Sequence, residues 1–193
     1  MFSSRLEAWL RAVVDTPGLT ALDLESARER LLADSLRAVG VCQAYEGPLV
    51  DVGSGNGAPG IPLAFALPGR EAVLLDAARR KCAFLELWAP ANARVVWGRV
   101  EEQGRDWAGV ALAKALAPPP IAAEWCLPLV RPGGAAVLWT GPTLDREHVA
   151  RVARRLAAEP VPSPPGLLVL RKLAPTPAGF PRRPGVARRR PLT

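Results

Sequence analysis

A glycine-rich stretch at residues 51–60 is the part of the chain best suited to binding a small ligand. It reads Asp-Val-Gly-Ser-Gly-Asn-Gly-Ala-Pro-Gly and joins a β-type run at 48–52 to an apolar run at 61–67. Alternate glycines let the backbone approach a ligand where a β-carbon would collide. The start of the following helix adds unpaired N–H groups. This order predicts a nucleotide-binding corner whose ligand contacts are Gly53, Ser54, Gly55 and Gly57.

The type of nucleotide depends on the acid that precedes the glycines. Gly55-x-Gly57-x-x-Gly60 matches the dinucleotide fingerprint, a weak signal when it stands alone. Asp51 lies at the strand end, where a carboxylate suits an ammonium group and repels a pyrophosphate. The core Asp-x-Gly-x-Gly-x-Gly resembles motif I of class I S-adenosylmethionine-dependent methyltransferases, and so we assign Asp51 to the cofactor's cationic end. Other nucleotides and a purely structural turn remain alternatives.

Three further positions extend the expected cofactor site. Asp76 ends the apolar run at 72–76, and in a βαβ unit that position reaches a ribose diol. A helix N-cap is the alternative role for Asp76, and one aspartate can fill both. The backbone of Val100 and Glu101, in the loop after a strand at 94–97, is placed to read an adenine ring. Lys114 follows the strand at 109–113 and faces the same edge of the sheet.

The basic residues are concentrated at the C-terminal end. The chain carries a formal net charge of +7, and no acidic residue follows Arg171. A neutral body with a cationic end indicates a polyanionic partner, with a solvated arginine-rich end as the alternative. Three cations at a helix start oppose the helix dipole, so they too are assigned to phosphates, or else to a solvated face. The RNA-binding candidates are Arg79, Arg80, Lys81, Arg171, Lys172, Arg182, Arg183, Arg188, Arg189 and Arg190, with Phe180 stacking on a base and Arg99 as a further cation.

Periodicity predicts alternating helices and strands. Helices are expected at 4–14, 21–38, 60–67, 77–88, 121–130 and 144–158, and strands at 48–52, 72–76, 94–97, 109–113, 135–139 and 167–172. This alternation predicts an α/β fold with a doubly wound, mostly parallel sheet. The methyltransferase class adds the expectation of seven strands ending in an antiparallel hairpin. The expected divisions are N-terminal helices at 1–40, a cofactor-binding core at 41–173 and a basic tail at 174–193.

Composition excludes several other classes of protein. No uncharged apolar run reaches the length of about 18 residues that a membrane span requires. The first residues carry an early acid and no apolar stretch, so no secretory signal is expected. The cysteines, Cys42, Cys82 and Cys126, are odd in number and far apart, and there is one histidine, which argues against zinc and disulfides. We expect a cytoplasmic monomer without a bound metal.

Several segments together resemble the RsmG family, also called glucose-inhibited division protein B. The resemblance covers residues 34–192. It is carried by the glycine stretch with Pro59 and Pro62, by Leu75-Asp76-x-x-x-Arg80-Lys81-x-x-Phe84-Leu85, and by the segments at 98–102, 126–134 and 171–185. It implies an enzyme that uses S-adenosylmethionine to methylate N7 of a guanine near the decoding region of 16S rRNA, within the small ribosomal subunit. It also implies cofactor contacts at Gly53, Ala58, Val100, Glu101 and Lys114.

Methylation at N7 sets few demands on catalytic residues. The guanine N7 lone pair carries no proton, so no general base is expected and catalysis would consist of positioning. Cys126 is interpreted as a buried small residue and His148 as a surface residue. The chain departs from the family at Leu31, Ala58 and Lys114. An RNA-binding scaffold without methyl transfer and a small-molecule methyltransferase therefore stay as alternatives.

Overall fold

The computed structural model describes residues 4–193, which form one seven-stranded sheet with helices on both faces. The strands are β1 (Leu49–Val52), β2 (Ala72–Asp76), β3 (Ala93–Trp97), β4 (Ala108–Ala113), β5 (Val130–Trp139), β6 (Ala158–Val161) and β7 (Leu167–Lys172). Their order in the sheet is β3-β2-β1-β4-β5-β7-β6. Only β7 runs against the other strands. This confirms the doubly wound sheet and its antiparallel end.

The central strands are buried on both faces because helices cover both sides. Every residue of β1, β2 and β4 is buried, as expected for continuous apolar runs in a parallel sheet. At the sheet edge, β3 is only partly covered. The chain reverses its strand order between β1 and β4, and the ends of these strands form the crevice where ligands bind in such sheets.

The helices follow the predicted order with altered bounds. They are α1 (Ser4–Asp15), α2 (Leu24–Ala27), α3 (Asp34–Leu36), α4 (Val39–Gln43), α5 (Gly60–Ala66), α6 (Arg79–Trp88), α7 (Pro119–Cys126), α8 (Arg146–Arg155) and α9 (Val186–Arg189). A π-helical turn at Arg28–Ala33 joins α2 to α3, and a second short helix, α4, follows before β1. The predicted single helix at 21–38 therefore begins later and has a wider turn inside it.

Two elements at the far edge of the sheet differ from the sequence prediction. The helix predicted at 144–158 ends at Arg155, and residues 158–161 form β6 instead. Pro160 lies in β6, which is tolerated because β6 is an edge strand. The fifth strand also starts earlier than predicted, at Val130, since Pro132 and Gly133 continue it rather than forming a turn before it.

The N-terminal helices pack against the glycine corner through a shared apolar cluster. Trp9 and Leu10 of α1 are fully buried with Ile61 of α5 and Leu74 of β2. The indole Nε1 of Trp9 donates to the carbonyl of Asn56, 2.9 Å away, inside the glycine stretch. Residues 1–3 of the predicted N-terminal division lie outside the described part of the chain. The divisions at residues 40 and 173 remain predictions.

Helices long and apolar enough to cross a membrane do not occur within residues 4–193.

Candidate functional site

The glycine corner is held by backbone bonds to the neighbouring strand. The N–H groups of Gly53 and Ser54 both donate to the carbonyl of Leu75, at 2.8 and 3.0 Å. Gly53 and Gly55 have φ values of +70° and +58°, a region that glycine enters without steric cost. A β-carbon on Gly53 would collide with the side chain of Leu116. The corner therefore turns tightly, and Leu116 packs against it.

Asp51 lies beneath this corner rather than facing a ligand. The residue is buried, and Oδ2 accepts a 2.9 Å hydrogen bond from the N–H of Gly60 at the start of α5. Burial raises the pKa of Asp51 to about 7. Oδ1 has no hydrogen-bond partner in the described structure. The structure thus shows this carboxylate at the helix start, and its contact with the cofactor's ammonium group stays a prediction.

Asp76 is placed as predicted, with both oxygens fixed by backbone groups. Oδ2 accepts from the N–H of Gly55 at 2.9 Å, and Oδ1 accepts from the N–H of Ala78 at 2.8 Å. The carboxylate thus joins the glycine corner to the start of α6. Because an ionised carboxylate has about four acceptor positions, each oxygen retains capacity for a ligand hydroxyl.

A cavity of about 350 Å³ opens beside Asp76. Of the predicted cofactor residues, four line it: Gly53, Asp76, Val100 and Glu101. Six do not line it: Asp51, Ser54, Gly55, Gly57, Ala58 and Lys114. Sequence reasoning missed the remaining wall, which includes Leu75, Gly98, Leu116 and Trp125. The volume of the cavity falls in the range of about 300–1,000 Å³ that is typical of small-molecule sites.

Several of the corner residues that do not line the cavity have structural contacts. Ser54 Oγ donates to the carbonyl of Asp51 at 2.9 Å. A β-carbon on Gly57 would meet the Ile61 side chain at 2.5 Å, so this glycine permits close packing of α5. Ala58 belongs to the apolar cluster with α1. These contacts shape the corner, and the predicted ligand contacts of the three residues stay predictions.

Lys114 points to the N-terminal helices. Its Nζ lies 2.7 Å from Asp34 Oδ2 and donates to the carbonyl of Arg30 in the π-helical turn. It also lies 5.8 Å from the centre of the Trp139 ring. Leu31, the other departure from the family pattern, is buried in the cluster around α1. The ion pair thus links the end of β4 to the helical layer.

The C-terminal segment, residues 176–193, forms one wall of the cavity. Gly185 and Arg188 line the cavity, and the Gly185 N–H donates to Glu101 Oε1 at 3.1 Å. The guanidinium of Arg188 lies 5.1 Å from the centre of the Trp125 ring. The segment is therefore docked on the core rather than extending from it as a tail.

Three of the predicted RNA contacts are instead part of this docking. Lys172 is buried, and its Nζ donates to the Leu127 carbonyl and the Thr176 hydroxyl at 2.9 and 2.8 Å. Burial lowers the pKa of Lys172 to about 8. Arg182 forms a two-pronged ion pair with the buried Glu124, at 2.5 and 2.6 Å. Phe180 packs against the core cluster. The predicted RNA contact of Lys172 is corrected, because its side chain is buried. Arg182 and Phe180 are only partly buried, and their contacts with RNA stay predictions.

The remaining basic candidates lie at or near the surface. Arg171 pairs with Glu159 at 2.6 Å on the strand edge. Lys81 is half-buried and lines the cavity. The exposed candidates are Arg79, Arg80, Arg99, Arg183, Arg188, Arg189 and Arg190. Cations therefore flank the cavity on two sides, from α6 and the loop after β3 and from the C-terminal segment.

Cys126 and His148 are not among the residues that line the cavity. Cys126 is fully buried at the end of α7, and burial raises the pKa of its thiol. His148 contacts the carbonyl of Leu192 through Nε2 at 2.7 Å, on the far side of α8. Among residues 4–193, no group of three histidine, cysteine or acidic side chains is arranged to hold a metal. The arrangement can bind and orient a nucleotide-like ligand, with exposed cations beside it.

Comparison with known proteins gives consistent matches. The family model for rRNA small subunit methyltransferase G, named GidB, matches residues 12–160. The chain is 38% identical to the ribosomal RNA small subunit methyltransferase G of Synechococcus sp. (strain JA-3-3Ab), covering 85% of this chain and 74% of that protein. It is 36% identical to the protein of the same name from Chloroflexus aggregans, covering 92% of this chain and 84% of that protein.

Solved structures share the fold at lower identity. A magnesium protoporphyrin IX methyltransferase from Synechocystis PCC 6803, with bound SAM, aligns at a TM-score of 0.62 and 14% identity, covering 89% of this chain and 93% of that one. A T. thermophilus 16S rRNA N2 G1207 methyltransferase, in complex with AdoMet and guanosine, aligns at a TM-score of 0.53 and 16% identity, covering 77% of this chain and 41% of that one. These likenesses confirm the predicted methyltransferase-like fold.

Proposed function

This chain belongs to the GidB family of small-subunit rRNA methyltransferases, and from that premise we propose that it methylates N7 of a guanine near the decoding region of 16S rRNA. Membership confirms the resemblance predicted from the sequence. It makes the chain an S-adenosylmethionine-dependent methyltransferase of small-subunit rRNA. The N7 position, the decoding region, a monomeric state and a cytoplasmic location are parts of the proposal.

The observation that carries the proposal is the convergence of three segments on one cavity. Gly53 from the corner, Asp76 from the end of β2 and Val100 from the following loop all line it. The glycine corner at Gly53 and the two fixed oxygens of Asp76 suit an adenosyl group with its ribose diol. In this proposal Asp76 accepts from the ribose hydroxyls, and the backbone of Val100 and Glu101 recognises the adenine edge.

The chemistry requires orientation more than proton transfer. S-adenosylmethionine supplies an electrophilic methyl group that the N7 lone pair attacks in line, as the bond from carbon to sulfur breaks. N7 carries no proton, so no residue of this chain has to remove one. The contribution of the chain is to hold the two reactants at about 3 Å with the reacting atoms aligned. Leu75 and Leu116 are among the apolar residues that line the cavity.

Exposed arginines on both sides of the cavity would hold the RNA backbone. Arg183, Arg189 and Arg190 project from the C-terminal segment, and Arg79 and Arg80 from α6. Each phosphate contact adds about 0.7 to 0.9 to the slope of log affinity against log salt. Replacing Arg189 and Arg190 with alanine is therefore expected to weaken rRNA binding and flatten that slope by about 1 to 2. Arg154→Ala with Arg155→Ala, two exposed arginines at the end of α8, is the matched control.

Reverse-transcription mapping of N7-methylguanine tests the proposed reaction. Unmodified small subunits are incubated with the protein and S-adenosylmethionine, then mapped along the whole 16S rRNA. One new N7-methylguanine near the decoding region is the expected result. Methylation at another ring position refutes the N7 assignment, and no incorporation into rRNA at all refutes the activity.

A scaffold without methyl transfer is the second candidate function. It is favoured by Lys114, which is paired with Asp34 and does not line the cavity. Calorimetric titration with S-adenosylmethionine separates the two functions, because an enzyme must bind the methyl donor. Absence of binding, together with retained rRNA binding, would support the scaffold.

A further inference from the structure

Trp97 is an exposed aromatic ring on the rim of the cofactor cavity. It ends β3, and its register partner in the sheet is Asp76 at the end of β2. The ring is 60% exposed, although large apolar side chains are usually covered. Its only polar atom, Nε1, donates to the carbonyl of Ala77 at 3.1 Å, which fixes the ring against the start of α6. Trp97 therefore presents a rigid aromatic surface beside the site.

Arginine side chains lie near this ring. The guanidinium of Arg79 lies 5.3 Å from the ring centre, a cation–π arrangement. Arg99 is exposed two positions after Trp97 and lines the cavity together with Gly98, whereas the guanidinium of Arg80 donates to the carbonyl of Pro17. Within residues 4–193, no ion pair joins Arg79, Arg80 or Arg99 to a carboxylate. The ring and the neighbouring arginines thus form one surface, which we call the Trp97 platform: Arg79, Trp97 and Arg99.

We propose that the Trp97 platform stacks an unpaired base of the rRNA substrate. The inference rests on the proposed function, since it names a contact for the same RNA. Unpaired bases are recognised by stacking on aromatic rings and on arginine planes, both of which this surface supplies. The unpaired arginines match the phosphates on either side of such a base.

Variants of Trp97 test the stacking contact against the charge contact. Trp97→Ala is expected to weaken binding to a full-length unmodified 16S rRNA transcript about tenfold. Trp97→Phe retains a stacking face and is expected to bind within about threefold of the original protein. Both leave the salt slope unchanged, because no charge is lost, whereas Arg79→Ala lowers it by about 1. Leu87→Ala, which removes an exposed apolar side chain from α6, is the matched control.

Further measurements on the same variants distinguish failure of this inference from failure of the proposed function. Thermal unfolding checks that each variant is folded, and calorimetry with S-adenosylmethionine checks that the cofactor site is intact. Unchanged RNA binding by Trp97→Ala, with the original protein still methylating rRNA, overturns the platform and leaves the function standing. If the original protein itself neither binds nor methylates rRNA, the proposed function fails instead.

Two other outcomes also overturn the platform. Loss of S-adenosylmethionine binding in Trp97→Ala, with RNA binding retained, would assign the ring to the cofactor. Weaker binding to intact small subunits but not to the RNA transcript would assign it to a ribosomal protein.

Discussion

Removing Arg182 is expected to undock the C-terminal segment and to leave the buried carboxylate of Glu124 without its ion-pair partner. Glu124 lies in α7 with its side chain 3% exposed, and Arg182 is its ion-pair partner from the segment. Loss of one member of a buried pair costs about 3–5 kcal/mol, because the other charge stays buried without compensation. Arg182 is 21% exposed, so water reaches part of the pair and the lower end applies.

Arg182→Ala is therefore expected to lower the free energy of unfolding by about 3 kcal/mol. For a chain of this size the corresponding fall in Tm is about 6–12 °C. The affinity for S-adenosylmethionine should fall as well, because Gly185 and Arg188 of the same segment line the cavity. Urea unfolding measures the first effect and calorimetric titration the second.

Removing the charge of Glu124 as well separates the cost of an unpaired buried charge from the cost of undocking the C-terminal segment. Glu124→Gln with Arg182→Ala leaves no buried charge, so the double variant is expected to recover about 1–2 kcal/mol relative to Arg182→Ala. Arg183→Ala, an exposed neighbour, should stay within about 0.5 kcal/mol of the original protein. The reasoning is refuted if Arg182→Ala costs less than about 1 kcal/mol, a value typical of surface pairs.

Three further perturbations test the corner. Asp76→Ala removes the carboxylate that links Gly55 to the start of α6, and it also removes the proposed ribose contact. Calorimetry should show that S-adenosylmethionine binds about 10- to 100-fold more weakly. Unchanged affinity would contradict the assignment of Asp76 to the ribose. Gly60→Ala places a β-carbon 2.6 Å from Asp51 Oδ2 and against Leu74, so urea unfolding should show a loss of about 1–3 kcal/mol; a neutral change would contradict the packing. Burial raises the pKa of Asp51 from its ordinary 3.8 to about 7, so the folded state keeps a proton that the unfolded state has released. Stability should therefore fall as pH rises from 3.8 to about 7 and then level off, and Asp51→Asn should remove that slope; an unchanged slope in the variant would contradict the cause.

The central sheet could be predicted because its signals are local. Continuous apolar runs predicted β2 and β7 with their observed bounds, and the glycine stretch predicted the corner. The edge strand β6 was missed, since Pro160 argues against a strand unless its place at an edge is known. The π-helical turn at Arg28–Ala33 was also missed, because it keeps a helix-like apolar pattern.

The candidate site was only partly predictable, because its walls come from distant parts of the chain. Spacing within one βαβ unit placed Asp76 at the cavity. The ion pair between Glu124 and Arg182 joins residues 58 positions apart, and no local pattern reveals it. Because the sequence did not reveal this ion pair, the C-terminal basic residues were interpreted as a free tail. The apolar Ala187 and Leu192, both buried, were the available sign of docking.

The predicted role of Asp51 shows the same limit. Its place at the end of a strand was correct, but the direction of its side chain depends on Gly60, which lies nine positions further along and approaches within hydrogen-bond distance. Sequence spacing gives the edge of the sheet on which a residue lies. It does not give the groups that pack over that residue.

Mapping of methyl groups on rRNA is the most direct test of the central claim. Purified protein, S-adenosylmethionine and unmodified small ribosomal subunits are combined, and the 16S rRNA is mapped beside a parallel reaction with Asp76→Ala. The account predicts one N7-methylguanine that requires the protein and is strongly reduced with Asp76→Ala. Transfer to a small molecule but not to rRNA, or undiminished methylation by Asp76→Ala, would contradict it.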